Sequence, residues 1–143
     1  MKIEEIQEEI IKEFEKLNNE LEKYNYLIRL GKNLKPIDPK YKTDDCLIKG
    51  CQVSTWYHSE YKKGKIFYEI DSLSLITRGF ISLLLRICSA QKPEDIQNTE
   101  FYFIDKIGLK NQFSPLKDNS LFKLVNKIKA DAVSESRMKQ NKN

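Results

Sequence analysis

Histidine is nearly missing from this chain: His58 is the only one. Catalysis by imidazole pairs and His-rich metal sites are therefore excluded. Cysteine is scarce and odd in number, with Cys46, Cys51 and Cys88. A disulfide framework needs more of them, in pairs, so they read as reduced thiols of the cytoplasm. The five glycines form no phosphate-binding loop, and there is no HExxH and no paired CxxC. No apolar run nears the ~20 residues of a membrane helix. The most apolar stretch, residues 80–85, is bracketed by Arg78 and Arg86. The N-terminus turns acidic at Glu4 and Glu5 with no apolar h-region, so no signal peptide is expected. A dominant charge sign is missing too. Lys and Arg total 25 against 21 Asp and Glu, interspersed, for a net charge of +4. Neither a nucleic-acid nor a membrane partner is expected.

What remains is enough for one domain. The chain has 143 residues, 40% of them hydrophobic, which places it among globular proteins rather than disordered ones. Ile3, Ile6, Ile10, Phe14 and Leu17 recur at helical spacing, behind Glu4, Glu5, Glu8 and Glu9 at the end where the helix dipole favours negative charge. Asn18 and Asn19 break the pattern and can cap a second helix carrying Leu21, Tyr24, Leu27 and Ile28, with Gly31 as its stop. The short joint predicts an antiparallel helix pair. Residues 35–45 read as a loop. Val53, Thr55, Trp56, Tyr57 and Tyr61 favour strand, as do Ile66, Phe67, Tyr68 and Ile70. With a turn at residues 62–65 they predict a hairpin, with a third short strand near residues 47–49.

Asp71 or Ser72 is the expected cap of the most hydrophobic helix, residues 74–88, placed at the core. Gly79 within it points to close backbone packing. Pro93 opens a short helix, residues 100–107 form another, and Ser114-Pro115 opens a last one with Leu121, Leu124, Val125 and Ile128 inward. The expectation is an α+β fold: an N-terminal helical pair, a small antiparallel sheet, and C-terminal helices on one sheet face. One domain is expected over residues 1–133, with a frayed polar tail at 134–143.

Few residues carry chemistry. Cys88 sits among Leu84, Leu85 and Ile87 and reads as a small buried hydrophobe. Cys46 follows Asp44 and Asp45, and neighbouring carboxylates disfavour a thiolate. Cys51 follows Lys49-Gly50 where loop meets sheet. Gly50 permits a backbone turn that presents the next side chain, and Lys49 supplies charge that favours thiolate. Cys51 can be a working thiol or a structural cysteine. Cys46, Cys51, Cys88 and His58 also supply four metal ligands by count, but at unusual spacing.

Around these residues lies a co-linear pattern. It runs through Tyr24-Asn25-Tyr26-Leu27-Ile28 with Leu30-Gly31-Lys32, and Ile48-Lys49-Gly50-Cys51-Gln52 with Trp56. It continues through Asp71-Ser72 with Ile76 and Arg78-Gly79, then Gln91-Lys92-Pro93-Glu94-Asp95-Ile96, Gly108-Leu109 and Ser114-Pro115. In order and over residues 3–130, this resembles the SufE family of sulfur-acceptor proteins. The sequence departs from the family pattern at Val53, Leu73, Glu20, Lys117 and Ser120.

The resemblance implies a fold similar to U-type iron–sulfur scaffolds, and a task. A member takes sulfane sulfur from a SufS-like, pyridoxal-phosphate cysteine desulfurase and stimulates that enzyme. It passes the sulfur to a SufBCD-like iron–sulfur scaffold complex. The acceptor falls on Cys51, which would carry a transient persulfide. No cofactor is expected on this chain, since the pyridoxal phosphate belongs to the partner, and no independent turnover is expected. Gly50, Gln52, Arg78 and Lys117 are the expected loop and partner contacts. Trp56 and the central helix are expected to line an apolar pocket for the sulfur. Two rival readings stay open: a metal or iron–sulfur cluster scaffold using Cys46, Cys51 and His58, and an allosteric activator that carries no sulfur.

Overall fold

A computed structural model describes residues 2–109 and 120–141. The order is α1 (Ile3–Glu15), α2 (Glu20–Asn33), 3-10 turns at Pro39–Tyr41 and Asp44–Cys46, β1 (Thr55–Lys62), β2 (Lys65–Ser72), α3 (Leu75–Cys88), α4 (Pro93–Gln97), α5 (Phe103–Lys106) and α6 (Ser120–Asn141). The fold is α+β, around one two-stranded antiparallel sheet among the described residues.

The hairpin follows from its turn. Lys62 pairs with Lys65 across Lys63-Gly64, whose φ angles of 52° and 81° suit the type I′ turn that joins right-twisted strands. Ile66, Tyr68 and Ile70 then alternate inward with Tyr57, while Phe67 and Glu69 face out. Single bridges extend the sheet, Leu47 to Trp56 beyond β1 and Gln91 to Ile66 beyond β2. The third strand expected near residues 47–49 is only that first bridge. The 3-10 turn before it and the Gly50 turn after it leave no longer extended run.

Helix α3 is the core. Phe80, Ile81, Leu83, Leu84 and Ile87 have no exposed surface, a gross hydrophobic contribution of roughly 10 kcal/mol. Its cap is neither Asp71 nor Ser72, since β2 runs on through Ser72. Ser74 caps it, its Oγ accepting from the Thr77 N–H at 3.3 Å.

Helix α2 does not pair lengthwise with α1, as the short joint predicts. It crosses α3 instead, where Gly31 meets Leu75 and Gly79 meets Leu27. A Cβ on Gly31 would lie 2.2 Å from the Leu75 carbonyl oxygen, and one on Gly79 2.3 Å from that of Leu27. Gly31 is therefore a helix-contact glycine, not the stop expected; α2 continues to Asn33. Its start is as expected. Asn19 Oδ1 accepts from the Glu22 N–H at 2.9 Å, and Glu22 accepts from the Asn18 N–H at 2.7 Å. Helices α1 and α2 meet at the edge-to-face pair Phe14–Tyr26. Tyr26 also donates to Glu13, which Arg86 of α3 holds with two hydrogen bonds. Those Arg86 bonds, ahead of the Tyr26 bond, keep the Glu13 carboxyl below its ordinary pKa despite partial burial.

The helix predicted over residues 100–107 shrinks to Phe103–Lys106. Gln7 of α1 is the reason. Its buried amide donates to the Glu100 carbonyl at 2.9 Å and accepts from the Phe103 N–H at 3.1 Å. These backbone groups are satisfied by a side chain instead of a helical turn. At the other end, α6 passes the expected tail boundary at residue 134 and runs to Asn141, burying Ala132 and Ser136 on the way.

The glycine crossing is open to test. Gly31→Ala and Gly79→Ala should each lose about 1–3 kcal/mol in denaturant titration, because overpacking outweighs the ~1 kcal/mol helix-propensity gain. Unchanged or raised stability in either variant would show that the two helices can separate without cost.

Candidate functional site

Cys51 sits on a loop, residues 49–54, that is pinned at its base and raised at its tip. The Ile48 N–H donates to the Thr55 carbonyl at 2.9 Å, closing the loop like a hairpin next to the Leu47–Trp56 bridge. The Leu73 N–H donates to the Ser54 carbonyl at 3.1 Å, fixing the loop's second leg to the end of β2. Thr55 Oγ1 donates to the Val53 carbonyl at 3.1 Å and lies 3.2 Å from Ser72 Oγ. Gly50 turns the chain with φ +86°, a conformation that a side chain would strain. Its neighbour Cys51 is half-buried and Gln52 is exposed.

A third hold comes from far along the chain. Lys123 of α6 donates from Nζ to the carbonyl oxygen of Gly50. One turn on, Lys127 faces Tyr57, and one turn further Asp131 binds β1. Asp131 Oδ2 accepts from Tyr57 Oη at 2.7 Å and from Ser59 Oγ at 3.1 Å, while Lys127 Nζ lies 3.4 Å from Oδ1. Burial, then the Asp131 carboxylate, push the Tyr57 hydroxyl far above its ordinary pKa, so it stays a neutral donor. The stripe 123–127–131 fastens α6 to both the Cys51 loop and the strand behind it. Reading the sequence for apolar periodicity finds Leu121, Leu124, Val125 and Ile128 and misses this neighbouring stripe. Its signal is the i, i+4, i+8 spacing of charged residues beside the apolar face.

A polar cavity of about 460 Å³ opens beside the loop, walled by Cys46, Lys49, Tyr57, His58 and Lys127 among others. His58 is engaged elsewhere. Its ring stacks on Tyr41 with centroids 3.5 Å apart, and Nε2 lies 3.1 Å from Glu60 Oε1. Cys46 and His58 share the cavity wall, but Cys51 does not line it. Among the described residues no three His, Cys, Asp or Glu side chains group as a metal site requires. Cys88 has no exposed surface, and burial raises its thiol well above the ordinary pKa, as its place on the core helix suggests. The three cysteines are thiols.

A family model described as SufE, Fe-S metabolism associated domain, matches residues 8–132. The chain belongs to the SufE family. It is 32% identical over 124 residues to the cysteine desulfuration protein SufE of Wigglesworthia glossinidia brevipalpis, covering 85% of this chain and 86% of that one. It is 30% identical over 127 residues to SufE-like protein 1, chloroplastic/mitochondrial, of Arabidopsis thaliana. That match spans 88% of this chain but only 34% of the plant protein's length. The fold also matches a solution structure of a hypothetical protein from Thermus thermophilus, with a TM-score of 0.71 at 19% identity, over 90% of this chain and 94% of that one.

The remaining SufE-pattern residues sort by geometry. Arg78, expected as a partner contact, is committed inside the fold. It pairs with Asp71, donates from Nε to the Gly31 carbonyl at 2.8 Å, and from Nη2 to the Leu34 carbonyl at 2.5 Å. Asp71 in turn accepts from the Ile37 N–H at 3.1 Å and the Ser72 N–H at 2.8 Å. The side chains are 14% and 6% exposed, so neither is available to a partner. Asp71 binds Arg78 instead of capping α3. Trp56 lies on the face of β1 opposite Tyr57, with Lys42 Nζ 4.9 Å from its ring centroid. Trp56 is not part of the core that α3 builds with Tyr57, Ile66, Tyr68 and Ile70, nor of the cavity beside the loop, so the expected apolar pocket between Trp56 and α3 is not formed by these groups. Lys117 and Ser114-Pro115 lie outside the described residues.

Arg78→Met should cost about 3–5 kcal/mol in denaturant titration, because it leaves the Asp71 carboxylate buried without its partner. Adding Asp71→Asn should recover much of that loss. A single variant as stable as the native chain would show that the pair is open to water.

Proposed function

We propose that this chain is a sulfur carrier in iron–sulfur metabolism, and that Cys51 is the atom-bearing residue. On this reading a cysteine desulfurase, whose pyridoxal phosphate frees sulfur from cysteine, leaves a persulfide on its own cysteine. The Cys51 thiolate attacks the outer sulfur of that persulfide. The partner's S–S bond breaks, its electron pair departs with the desulfurase thiolate, and a new S–S bond forms at Cys51. Nothing is oxidised or reduced overall. The proton that Cys51 gives up and the one the leaving thiolate takes are exchanged with solvent.

The observation that carries this reading is the Cys51 loop itself. A single half-buried thiol follows a positive-φ glycine on a loop pinned at both legs, inside the stretch matched by the family model. Exchange between sulfurs needs one positioned nucleophile and no acid–base machinery. The chain's single histidine is held by Tyr41 and Glu60, in keeping with that demand. The relative from Wigglesworthia is named for cysteine desulfuration, which supports the same task here. Removing the persulfide frees the desulfurase for another turnover, so the carrier stimulates its partner without turnover of its own. A SufBCD-like scaffold then receives the sulfur, in the cytoplasm.

Incubation with a SufS-like cysteine desulfurase and L-cysteine, followed by intact-protein mass spectrometry, tests this directly. The native chain and Cys46→Ser should gain one sulfur atom, and Cys51→Ser should gain none. A native chain that never gains sulfur, while still raising desulfurase turnover, would replace the carrier with the allosteric activator. Bound iron or zinc in stoichiometric amount would favour the scaffold.

A further inference from the structure

Three features lie outside the roles already assigned: the polar cavity beside Cys46, the exposed Leu73 at the loop's foot, and Lys123. The last carries an inference furthest, because it is a charged group delivered from a distant element onto the peptide that precedes the acceptor cysteine. We propose that Lys123 is a positioning residue for sulfur transfer. It latches the Cys51 loop through the Gly50 carbonyl and sets a positive charge beside the sulfur that Cys51 carries. This rests on the reading of Cys51 as acceptor.

The geometry gives Lys123 two effects. Its Nζ donates to the Gly50 carbonyl oxygen, so the ammonium stands one peptide unit from Cys51. A Cβ built on Gly50 would stand 3.0 Å from that same Nζ. Glycine at 50 is thus needed for its φ, and a side chain there would also crowd the ammonium, which would have to give by a few tenths of an ångström. The latch holds the loop's tip, which the backbone bonds at Ile48–Thr55 and Leu73–Ser54 do not reach. The anchor for the latch is rigid. Lys123 rides on the helix that Asp131 ties to Tyr57 and Ser59 two turns on, and its neighbours Leu121 and Leu124 are buried.

The second effect is electrostatic. Both the attacking thiolate and the deprotonated persulfide are anions, and an ammonium has three N–H donors, so a bond to one carbonyl does not exhaust it. The other charged groups around the loop, among the described residues, add no net positive charge. Lys49 is on the loop and Asp44 and Asp45 on the 3-10 turn before it. Lys127 is paired with Asp131 on α6, and Asp71 with Arg78 behind the end of β2. Lys123 is the cation that α6 adds to the loop's own backbone.

Magnitude separates the two effects. A nearby cation that lowers a solvent-open thiol's pKa by one unit raises the thiolate fraction about tenfold well below that pKa, yet each thiolate is then less nucleophilic. The net rate gain is only about threefold. A larger loss on removing Lys123 therefore reports the latch.

The experiment compares Lys123→Gln, Lys123→Arg and the exposed control Lys106→Gln. It measures iodoacetamide alkylation of Cys51 against pH, and the rate of sulfur loading from a cysteine desulfurase. Lys123→Gln should move the alkylation profile upward by about 0.5–1 pH unit and slow loading roughly three- to tenfold at pH 7. Lys123→Arg, which keeps charge and donors, should stay within about twofold of the native chain, as should Lys106→Gln. Thermal melting shows that the variants are folded. An unmoved profile with native loading in Lys123→Gln would overturn the proposal. So would Lys123→Arg failing as fully as Lys123→Gln. If the native chain takes up no sulfur at all, the acceptor reading falls, while the alkylation profile still decides whether Lys123 acts on Cys51.

Discussion

The buried pair Asp71–Arg78 is the contact on which the rest of the molecule depends. Arg78 sits on the first turn and a half of α3, yet its guanidinium reaches Asp71 at the end of β2 and two carbonyls at the end of α2. Asp71 also holds the chain leaving α2, through the Ile37 N–H. One ion pair thus ends α2, starts the loop toward the sheet, finishes β2 and sets the entry to α3. A planar guanidinium suits this because its three nitrogens reach three separate acceptors, where a lysine would present all its donors from a single nitrogen. Such a pair is not a strong source of net stability, because taking both charges out of water costs nearly what their attraction returns. Its value is in fixing which segments meet. The next residues after Asp71 are Ser72, which meets Thr55, and Leu73, which holds Ser54. The foot of the Cys51 loop is therefore set by the same junction.

Two strands alone make a weak sheet, since a lone hairpin in water is marginal. Here the hairpin is made stable by what packs on it. Ile66, Tyr68 and Ile70 lie against the core built by α3, and α2 approaches α3 closely because Gly31 and Gly79 remove two side chains from the crossing. The outer face of β1 is covered by the loop between α2 and the sheet, through Tyr41 on His58 and Lys42 over Trp56. These aromatic and cationic contacts use residues that would otherwise look like a site. Lys62 first, with His58 and Tyr41, holds the Glu60 carboxyl down to about 2, which keeps it a charged acceptor for all three. The chain's one imidazole is thereby committed to structure.

Much of the fold is legible from side-chain period and capping residues. Asn19 caps α2, Lys63-Gly64 turns the hairpin, and the apolar run after Ser74 is the core helix, because each signal is local. The misses share a cause, which is that a distant side chain decides the local outcome. Gly31 has the sequence of a helix stop, and only the presence of Gly79 opposite reveals it as a contact. Residues 100–107 have a helical pattern, and Gln7, more than 90 positions away, takes the backbone bonds that would have made the helix longer. Arg78 reads as a surface charge until Asp71 is placed beside it. For the candidate site the same division holds. Lys49-Gly50-Cys51 is visible as a motif, whereas Lys123 is one lysine among many until α6 is laid along the loop.

On the proposed carrier reading, that arrangement also explains why so sparse a set of functional residues would suffice. A thiol on a free tether would exchange with any sulfur it met, and one locked in the core, like Cys88, would stay protonated and out of reach. Cys51 lies between these limits. Its loop is closed at the base by backbone bonds, which are strong and indifferent to partner, and held at the tip by a flexible lysine. On the proposed carrier reading, the lysine's hold is the one that a docking protein would replace, since an exposed ammonium–carbonyl bond trades readily with other donors and with water. On that reading the rigid base would keep the cysteine's position reproducible, and the exchangeable tip would let it turn toward a partner. Placing the two kinds of bond at the two ends of one loop separates the need for precision from the need for access.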